Sequence, residues 1–390
     1  MLRSEPREEC SSSNEAADHG FVTQAPLVKA DNHSYYSVRT VSTLSVWSLL
    51  VAQVGLKDVA RAAGVSYKTV SRVVNGEALV SEATRRRVEA AVAELGYQPN
   101  HSAQSLRRGR THTLRLIMYL RETHLRQERF QDEVIAAIID RATQAGYSVL
   151  LELTRDDDSP AQLARFGDRR SDGTILLDGR SASPLVPTLR RGGTPTVILV
   201  NPDADPSFGS IDADFVGGAR QMVRHLIELG HRRIAHLADD PALHSSRGRR
   251  QGYEEALREA GIEPEGDLME PAGYTRNHGA AAAERVLARR PDVTAFFCVN
   301  DLTALGAVEY LRQSGRRVSE DVSVTGYDDI SLARYATPPL TTLRIPWYEM
   351  AEAATSQVIG AVAGDEAFPA RREFPVELIL RETTGPAPGS

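Results

Sequence analysis

The first residues whose types and spacing suggest chemistry lie between Leu56 and Gly76, where the chain reads LKDVARAAGVSYKTVSRVVNG. Apolar residues at helical spacing, a glycine and a capping serine predict two short helices joined by a turn, the pattern of a helix-turn-helix. The second helix of such a pair enters the major groove, with its N-terminal residues at the base edges. That position falls on Tyr67 and Lys68, with Arg72 one turn further along. Because lysine and arginine can donate to O6 and N7 of guanine, the segment predicts base recognition.

Hydroxyl groups of the same segment could contact the DNA backbone. In this arrangement Ser66, Thr69 and Ser71 are expected to reach phosphates, as are the N–H groups of the first helical turn. The alternative is a small helical bundle with a solvated basic face, since short helix pairs with a glycine turn are common. Geometry alone leaves both interpretations open.

The charge distribution favours an anionic partner at one end of the chain only. The 390 residues have a formal net charge of −6, yet residues 55–112 hold ten basic and five acidic residues. Residues 1–54 hold four basic and six acidic residues, and the rest of the chain is acidic as well. A small basic module joined to a large acidic one is typical of a protein that contacts nucleic acid through that module.

Three short helices are predicted to build the basic module, at Leu56–Ala63, Tyr67–Val74 and Glu82–Leu95. Ser66 and Ser81 stand at the N-cap positions of the second and third helices, and glycine or asparagine-glycine follows each helix. These signals predict a three-helix headpiece.

From residue 113 onward, short apolar runs alternate with amphipathic helices, which predicts parallel sheets covered on both faces. Seven strands are too many for a single sheet in a domain of the usual size, so we expect two α/β subdomains. A ligand cleft is expected at the carboxyl ends of their strands. The fold class is therefore a helical headpiece followed by a two-subdomain α/β core. The strands are expected at 114–120, 147–153, 173–179, 194–200, 233–238, 294–300 and 322–327, and the helices near 130–145, 216–229, 247–260, 276–290, 301–314 and 347–363.

Residues 1–54 are expected to form a poorly ordered leader. One hypothesis is that the natural protein starts at Val51.

Apolar patterning and cysteine content exclude several protein classes. The apolar stretch Val41–Val54 is too short and too interrupted for a bilayer or a signal peptide, which predicts a cytoplasmic protein without membrane contact. Two cysteines, Cys10 and Cys298, indicate no disulfide framework.

Signatures of catalysis are absent from the sequence. There is no Gly-x-Ser-x-Gly, phosphate loop, His-Glu-x-x-His or Cys-x-x-Cys pattern. The ten histidines are scattered, and His225 and His231 are expected on a helix surface rather than around a metal. We therefore predict no enzyme, no cofactor and no metal site.

The segments AGVSYKTVSRVVNG and VSEATRRRVEAAVAELGYQPN together resemble the DNA-binding headpiece of the lactose-repressor/galactose-repressor (LacI/GalR) family. The resemblance implies that Tyr67, Lys68 and Arg72 occupy base-reading positions, and it adds Asn75 and Asn100 to the DNA contacts. Residues 101–111 resemble the family's hinge helix, which enters the minor groove. There Leu106 would wedge between two base pairs, with Ala103 beside it. The alternative for these residues is a flexible linker.

After residue 112 the resemblance extends to the family's effector-binding core, which is similar to periplasmic sugar-binding proteins. It is carried by HLIELGHRRIAHLADD, SSRGRRQGYEEAL, VNDLTALGAVEYL and VTGYDDISLARYATPPLTTLR. It implies that Arg249, Asn300 and Asp328 are polar effector contacts, and that Tyr274 and Trp347 are aromatics of the cleft. Such a set suits a polyol, because carboxylate and amide bridge hydroxyls, arginine donates and an aromatic face covers a sugar ring.

Ordinary structural roles compete with these assignments. Asp301 could cap the helix that follows it, and Asp328 or Asp329 could cap a turn. Tyr274 and Trp347 could be packing aromatics, and Arg249 could lie on the surface.

The first subdomain departs from the family pattern. The charged loop RETHLRQERFQ leaves only Phe130 where an aromatic contact is expected, and Asn201 stands where an acidic or amide contact often occurs. The loop's arginines make a carboxylated or phosphorylated sugar conceivable.

The sequence thus predicts a DNA-binding transcriptional regulator, a repressor controlled by a small carbohydrate-like effector. We expect a homodimer on a near-palindromic double-stranded operator, since the C-terminal RETTGPAPGS lacks a leucine heptad for further assembly. The expected boundaries are 1–54 for the leader, 55–100 for the headpiece, 101–111 for the hinge and 112–385 for the core. A solute-binding protein for sugar uptake is the alternative.

Overall fold

The computed structural model describes residues 54–77, 79–98, 110–119, 130–155, 158–180, 182–203, 205–365 and 367–389. The chain divides into two compact units, residues 1–98 and 99–390. The predicted leader up to residue 53, including Val51, lies outside the described residues. So do residues 101–109 of the predicted hinge.

The first unit is a three-helix headpiece whose helices lie at the predicted bounds. Local capping sets these bounds, because the Ser66 and Ser81 hydroxyls accept from the amides three residues on, and Gly64 and Gly96 take left-handed φ values of 61°. The helices are α1 (Leu56–Ala63), α2 (Tyr67–Val74) and α3 (Glu82–Leu95).

A small apolar core holds the headpiece together. Val59 of α1, Val70 and Val73 of α2, and Val88 of α3 are buried against one another. Their spacing along each helix leaves the opposite faces to polar and charged residues, so burial of one face sets which residues of α2 point outward.

One subdomain of the second unit contains a six-stranded, wholly parallel sheet and four helices. Its strands are β1 (Thr113–Tyr119), β2 (Ser148–Thr154), β3 (Gly173–Leu177), β4 (Thr196–Leu199), β5 (Gly209–Ala213) and β11 (Arg371–Phe374); its helices are α4 (Phe130–Gln144), α5 (Pro160–Ala164), α6 (Val186–Gly192) and α12 (Trp347–Ala363). The strand order is β11-β5-β4-β3-β1-β2. Helices α4 and α12 pack together on this subdomain, and α5 and α6 cover a separate apolar cluster that includes Ile117 and Phe166.

The other subdomain contains a four-stranded parallel sheet, a separate antiparallel pair of strands and five helices. Its strands are β6 (Ile234–Ala238), β7 (Met269–Pro271), β8 (Ala295–Cys298), β9 (Ser323–Thr325), β10 (Thr342–Arg344) and β12 (Glu377–Ile379); its helices are α7 (Phe215–Glu228), α8 (His244–Glu259), α9 (Arg276–Arg289), α10 (Asp301–Gln313) and α11 (Ser331–Tyr335). The sheet has the order β7-β6-β8-β9, and β10 and β12 form the antiparallel pair. Helices α7 and α8 form one packed pair, and α9 and α10 form another.

The chain crosses between the two subdomains three times, after β5, after β10 and after β11. One hydrophobic core runs through this junction, since residues of both sheets belong to the same buried cluster. The two sheets are therefore joined by a packed junction, and the carboxyl ends of their strands face a shared cleft.

The expected parallel sheets in two subdomains are confirmed, whereas five strands were not predicted. The strands β5, β7, β10, β11 and β12 are only three to five residues long and contain charged or small residues. They lack an apolar run of their own, and pairing with neighbours stabilises them.

His231 corrects another expectation, because it is fully buried rather than on a helix surface. Its ring nitrogens lie 2.9 Å from the Thr294 and Ser323 hydroxyls and 3.0 Å from the Gly385 carbonyl oxygen. Burial lowers the pKa of His231, so the ring is a neutral part of the core.

None of the helices within the described ranges has the length and apolar character that crossing a membrane requires.

Candidate functional site

The outward face of α2 carries the residues predicted to read DNA bases. Tyr67 is 53% exposed, Lys68 is exposed, and the Arg72 side chain is 38% exposed. Arg72 Nε lies 3.5 Å from the Glu77 carboxylate, a half-exposed ion pair that holds the guanidinium beside the end of its own helix. These side chains are accessible to a partner, as the base-reading interpretation requires.

The hydroxyl groups at the start of α2 are partly engaged by the helix itself. Ser66 Oγ accepts from the Thr69 amide at 3.1 Å, and the two hydroxyls lie 2.8 Å apart. Ser66 is exposed and Thr69 is partly exposed, so both remain at the surface where a phosphate contact is predicted.

Ser71 does not fit its predicted phosphate contact, because it is only 6% exposed. It lies on the packed side of α2. The Asn75 side-chain amide donates to the Ser71 carbonyl oxygen at 2.6 Å and lies 3.3 Å from its hydroxyl. Asn75 thereby caps the end of α2, a structural role that the sequence pattern did not separate from DNA contact.

Two arginines of α3 also have structural roles. Arg87 donates to the carbonyl oxygens of Ala63 at 2.8 Å and Gly64 at 3.2 Å, and Arg85 donates to that of Glu77 at 2.9 Å. Cations at exposed helix carbonyls are stabilising. Part of the positive charge of residues 55–112 therefore holds the headpiece together.

In the second unit, a cavity of about 730 Å³ including its open side lies where the carboxyl ends of both sheets meet. Most of its lining residues lie at the carboxyl end of a strand or within three residues after it, as expected for open parallel sheets. The lining residues are Tyr119, Gln131, Leu177, Gly179, Val200, Phe215, Leu243, Ser245, Arg249, Tyr274, Asn300, Asp328 and Trp347.

Arg249 is a buried cation in the cavity wall, 6% exposed. Its guanidinium carbon lies 4.5 Å from the Tyr327 ring centroid and 5.1 Å from that of Phe215, so two aromatic faces support the charge. Its Nε has no hydrogen-bond partner among the described residues. A buried donor that the protein leaves unsatisfied is a place where a ligand can bind.

Asp328 brings the opposite charge to the same wall. It follows β9 with a left-handed φ of 105°, and its amide donates to the Leu343 carbonyl oxygen at 2.8 Å. The residue is partly exposed to the cavity, and protein atoms surround its carboxyl group. This desolvation raises its pKa to about 7, while Arg249 lowers the pKa and Glu133 raises it.

Asn300 lines the cavity and also caps α10. Its Oδ1 accepts from the Thr303 amide at 2.8 Å, and its Nδ2 donates to the Tyr274 carbonyl oxygen at 3.2 Å. The cap is therefore Asn300 and not Asp301. Asp301 is fully buried and accepts from the Ile330 amide at 2.8 Å and from the Thr342 hydroxyl, and burial raises its pKa well above the usual range.

The other predicted effector contacts divide into two groups. Tyr274 and Trp347 line the cavity. Asn201 does not: it is buried, and its Nδ2 donates to the Arg180 carbonyl oxygen at 2.6 Å, while the preceding Val200 takes the lining position. The Phe130 side chain lies outside the described structure.

Sequence reasoning missed several lining residues, among them Gln131, Tyr119, Phe215 and Ser245. Tyr119 ends β1 and Phe215 comes two residues after β5, so the rule that ligands bind at strand ends could have found them. Gln131, on the first turn of α4, and Ser245, on the first turn of α8, carry no such signal.

The described ranges contain no group of three or more histidine, cysteine, aspartate or glutamate side chains able to hold a metal ion. Asp329, for which a turn cap was the alternative, forms ion pairs instead: its carboxylate oxygens lie 2.8 Å from Arg344 and 2.5 Å from Arg381.

The cavity wall therefore offers one buried cation, one carboxyl group, one amide and several aromatic rings, and these groups can contact a small molecule.

Comparison with known proteins matches both units of the chain. The family of bacterial regulatory proteins named lacI matches residues 55–100, and a periplasmic binding protein-like domain matches residues 223–384. The regulator CelR of Thermobifida fusca is 37% identical over 331 residues, covering 84% of this chain and 97% of CelR. The ribose operon repressor of Escherichia coli is 33% identical over 78% of this chain and 92% of its own length.

Two solved structures are similar over 85% of this chain and 99% of their own. A complex of CelR with cellobiose has 35% identity and a TM-score of 0.66. A lac repressor dimer bound to operator and the anti-inducer ONPF has 32% identity and a TM-score of 0.76. The relatives named are regulators, and the headpiece match favours regulation over solute uptake. The chain belongs to the LacI family of bacterial regulatory proteins and is a DNA-binding transcriptional regulator.

Proposed function

We propose that the protein is a repressor whose affinity for its operator is controlled by a neutral carbohydrate bound in the cavity. The observation that carries this proposal is the placement of Arg249 and Asp328 in one buried wall, one with an unsatisfied donor and the other with a strongly shifted carboxyl pKa. Vicinal hydroxyls of a sugar can accept from the guanidinium and donate to the carboxylate at once.

The charge balance of the wall favours a neutral ligand. Among the described lining residues, Arg249 is the single cation and Asp328 the single acidic group, and their charges offset each other above the Asp328 pKa of about 7. An added anion would leave one charge of the buried set uncompensated, which is costly in a desolvated site. The loop arginines that made a sugar acid conceivable lie outside the described residues.

The rest of the lining suits the apolar faces of a sugar ring. Tyr119, Tyr274 and Trp347 contribute aromatic rings, and Leu177 and Leu243 contribute aliphatic surface. The cellobiose found with CelR supports a saccharide over other neutral polar molecules.

On the DNA side, Tyr67, Lys68 and Arg72 are proposed to contact base edges, and Ser66 and Thr69 to contact phosphates. The lac repressor dimer on operator supports a homodimer that reads a near-palindromic site. Asn100, the last residue of the predicted headpiece, and Ala103 and Leu106 of the predicted hinge complete the proposed interface and lie outside the described residues. Sedimentation equilibrium tests the dimer.

Thermal unfolding in the presence of candidate ligands tests the effector class. Cellobiose, ribose, a sugar acid and a nucleoside are compared at equal concentration. A ligand at one hundred times its Kd adds about 2.7 kcal/mol of stability, so a true effector raises Tm by several degrees. We expect a neutral sugar to do so. Stabilisation by the sugar acid or the nucleoside alone would overturn the proposed class.

A further inference from the structure

Beside the cavity, a small set of contacts joins the two subdomains directly. His244 begins α8 in the four-stranded subdomain, whereas Asp212 lies on β5 of the six-stranded sheet. The His244 Nε2 donates to Asp212 Oδ2 at 2.8 Å. The backbone amide of His244 donates to the Gly179 carbonyl oxygen, also at 2.8 Å, and the adjacent Leu243 forms an antiparallel bridge with Arg180.

The side-chain contact lies in a desolvated, acidic environment. The Asp212 side chain is 7% exposed and that of His244 is 20% exposed. Within the described structure, Asp212 Oδ1 is buried without a hydrogen-bond partner. Burial raises the pKa of the neighbouring Glu373, Asp214 and Asp212 raise it further, and His244 lowers it. Among the described residues, the imidazole is the hydrogen-bond donor to the Asp212 side chain, and its loss leaves that buried carboxylate without a donor from them.

The contact between His244 and Asp212 also lies next to residues that line the cavity. Leu243 and Ser245, on either side of His244, line the cavity from one subdomain, and Gly179 lines it from the other. A ligand that touches both walls binds best when the walls are held in this arrangement, and it therefore favours the state in which these contacts are made.

We propose that His244 and Asp212 form a latch between the subdomains that holds the cleft closed and sets the affinity for the effector. Both are positioning residues, since they act through the placement of the cavity walls. The effect on the effector rests on the proposed function, whereas the latch itself does not depend on any ligand.

Hydrogen exchange of the ligand-free protein tests the latch alone. The His244 amide bonds across the cleft to Gly179, so its exchange rate reports opening of the latch. We expect His244→Ala to accelerate exchange in the peptide around residue 244 about tenfold, which corresponds to about 1.4 kcal/mol. His244→Gln, which keeps a donor for Asp212, should restore much of the protection. Rates in the rest of α8 and in β6 should not change.

Arg258→Ala is the matched control, because Arg258 is on the same helix and pairs with Glu254 of that helix at 2.9 Å. It should leave the exchange around residue 244 unchanged. Unaltered exchange in His244→Ala would overturn the latch. So would acceleration throughout the subdomain in both His244→Ala and Asp212→Asn, since that result assigns the pair to general stability.

Cellobiose titration tests the consequence for the effector. If cellobiose binds the wild type, we expect about tenfold weaker binding in His244→Ala, partial rescue in His244→Gln and no change in Arg258→Ala. Equal Kd values in wild type and His244→Ala would overturn the role in affinity. Failure of cellobiose to bind the wild type counts against that sugar in the proposed function, and the exchange experiment still decides whether the latch exists.

Discussion

Arg72 in the headpiece and Arg249 in the core are both assigned to binding, and their surroundings differ. Arg72 is more than one-third exposed and pairs at 3.5 Å with Glu77, a solvated arrangement that a phosphate or base can replace at small cost. Arg249 is 6% exposed, lies against two aromatic rings and retains an unsatisfied Nε among the described atoms.

The difference indicates what each partner must supply. A solvated cation gains most from a polyanion, whose counterions are released on binding, so the headpiece suits DNA. When Asp328 is ionised, the desolvated cation of Arg249 is already compensated, and it gains from neutral hydroxyl groups that complete its hydrogen bonds. On the proposed function, the two units therefore bind chemically different partners, each through an arginine.

The largest effect should come from removing the carboxyl of the cavity. Asp328→Ala leaves Arg249 buried without its counter-charge and removes the acceptor for ligand hydroxyls. We expect a loss of about 2–5 kcal/mol in effector affinity. Isothermal titration measures this loss. Operator affinity without effector should be unchanged, and a normal effector response would remove Asp328 from the site.

In the headpiece, Arg72→Ala should weaken binding to the specific operator by about 1–3 kcal/mol and relax recognition at one base position. Gel-shift titrations on the operator and on random DNA measure the two affinities. Because the change removes a base contact, the loss on random DNA should be much smaller. Equal losses on both would contradict a base-reading role.

Effector affinity should rise with pH between 6 and 8. The Asp328 pKa is raised to about 7, chiefly by desolvation, so at pH 6 the carboxyl is mostly protonated. Loss of the proton adds the negative charge and a second acceptor oxygen, which strengthen the hydrogen bonds that the carboxylate accepts from ligand hydroxyls. For a single group of this pKa the affinity should increase about tenfold over the range. Asp328→Asn should have a flat profile. A flat profile in the wild type would contradict binding by the ionised form.

The smallest expected effect concerns an arginine that stabilises the headpiece rather than contacting DNA. Arg87→Ala removes donors from the end of α1 and should lower headpiece stability by about 1 kcal/mol. Differential scanning calorimetry of the full chain measures the stability, and gel-shift measures the ratio of operator to random-DNA affinity. That ratio should stay constant. A selective loss on operator would place Arg87 in the recognition surface.

The headpiece was predictable to the residue because its signals are local. Capping serines, terminal glycines and apolar spacing define α1, α2 and α3 without reference to distant residues. The short strands β5 and β11 were not predictable, because polar residues such as Asp212 and Arg372 interrupt them and pairing within the sheet creates them. The carboxyl-end cleft followed from the alternation of strands and helices.

Individual contacts were less predictable than the elements that carry them. Ser71 and Asn201 have polar side chains suited to a ligand, yet local packing turns both inward. Gln131 reaches the cavity although it is outside any strand-end pattern. Which way a side chain faces at a helix or strand end depends on tertiary packing, and a single sequence does not contain that information directly.

The central claim is that occupancy of the core cavity changes the affinity of the headpiece for a symmetric DNA site. Selection from random duplexes with the purified protein identifies that site, and gel-shift titration with and without the most stabilising neutral sugar then measures the coupling. The account predicts one enriched inverted repeat and an affinity change of about fivefold or more on adding the sugar. It is contradicted if no inverted repeat is enriched, or if the affinity is identical with and without the sugar.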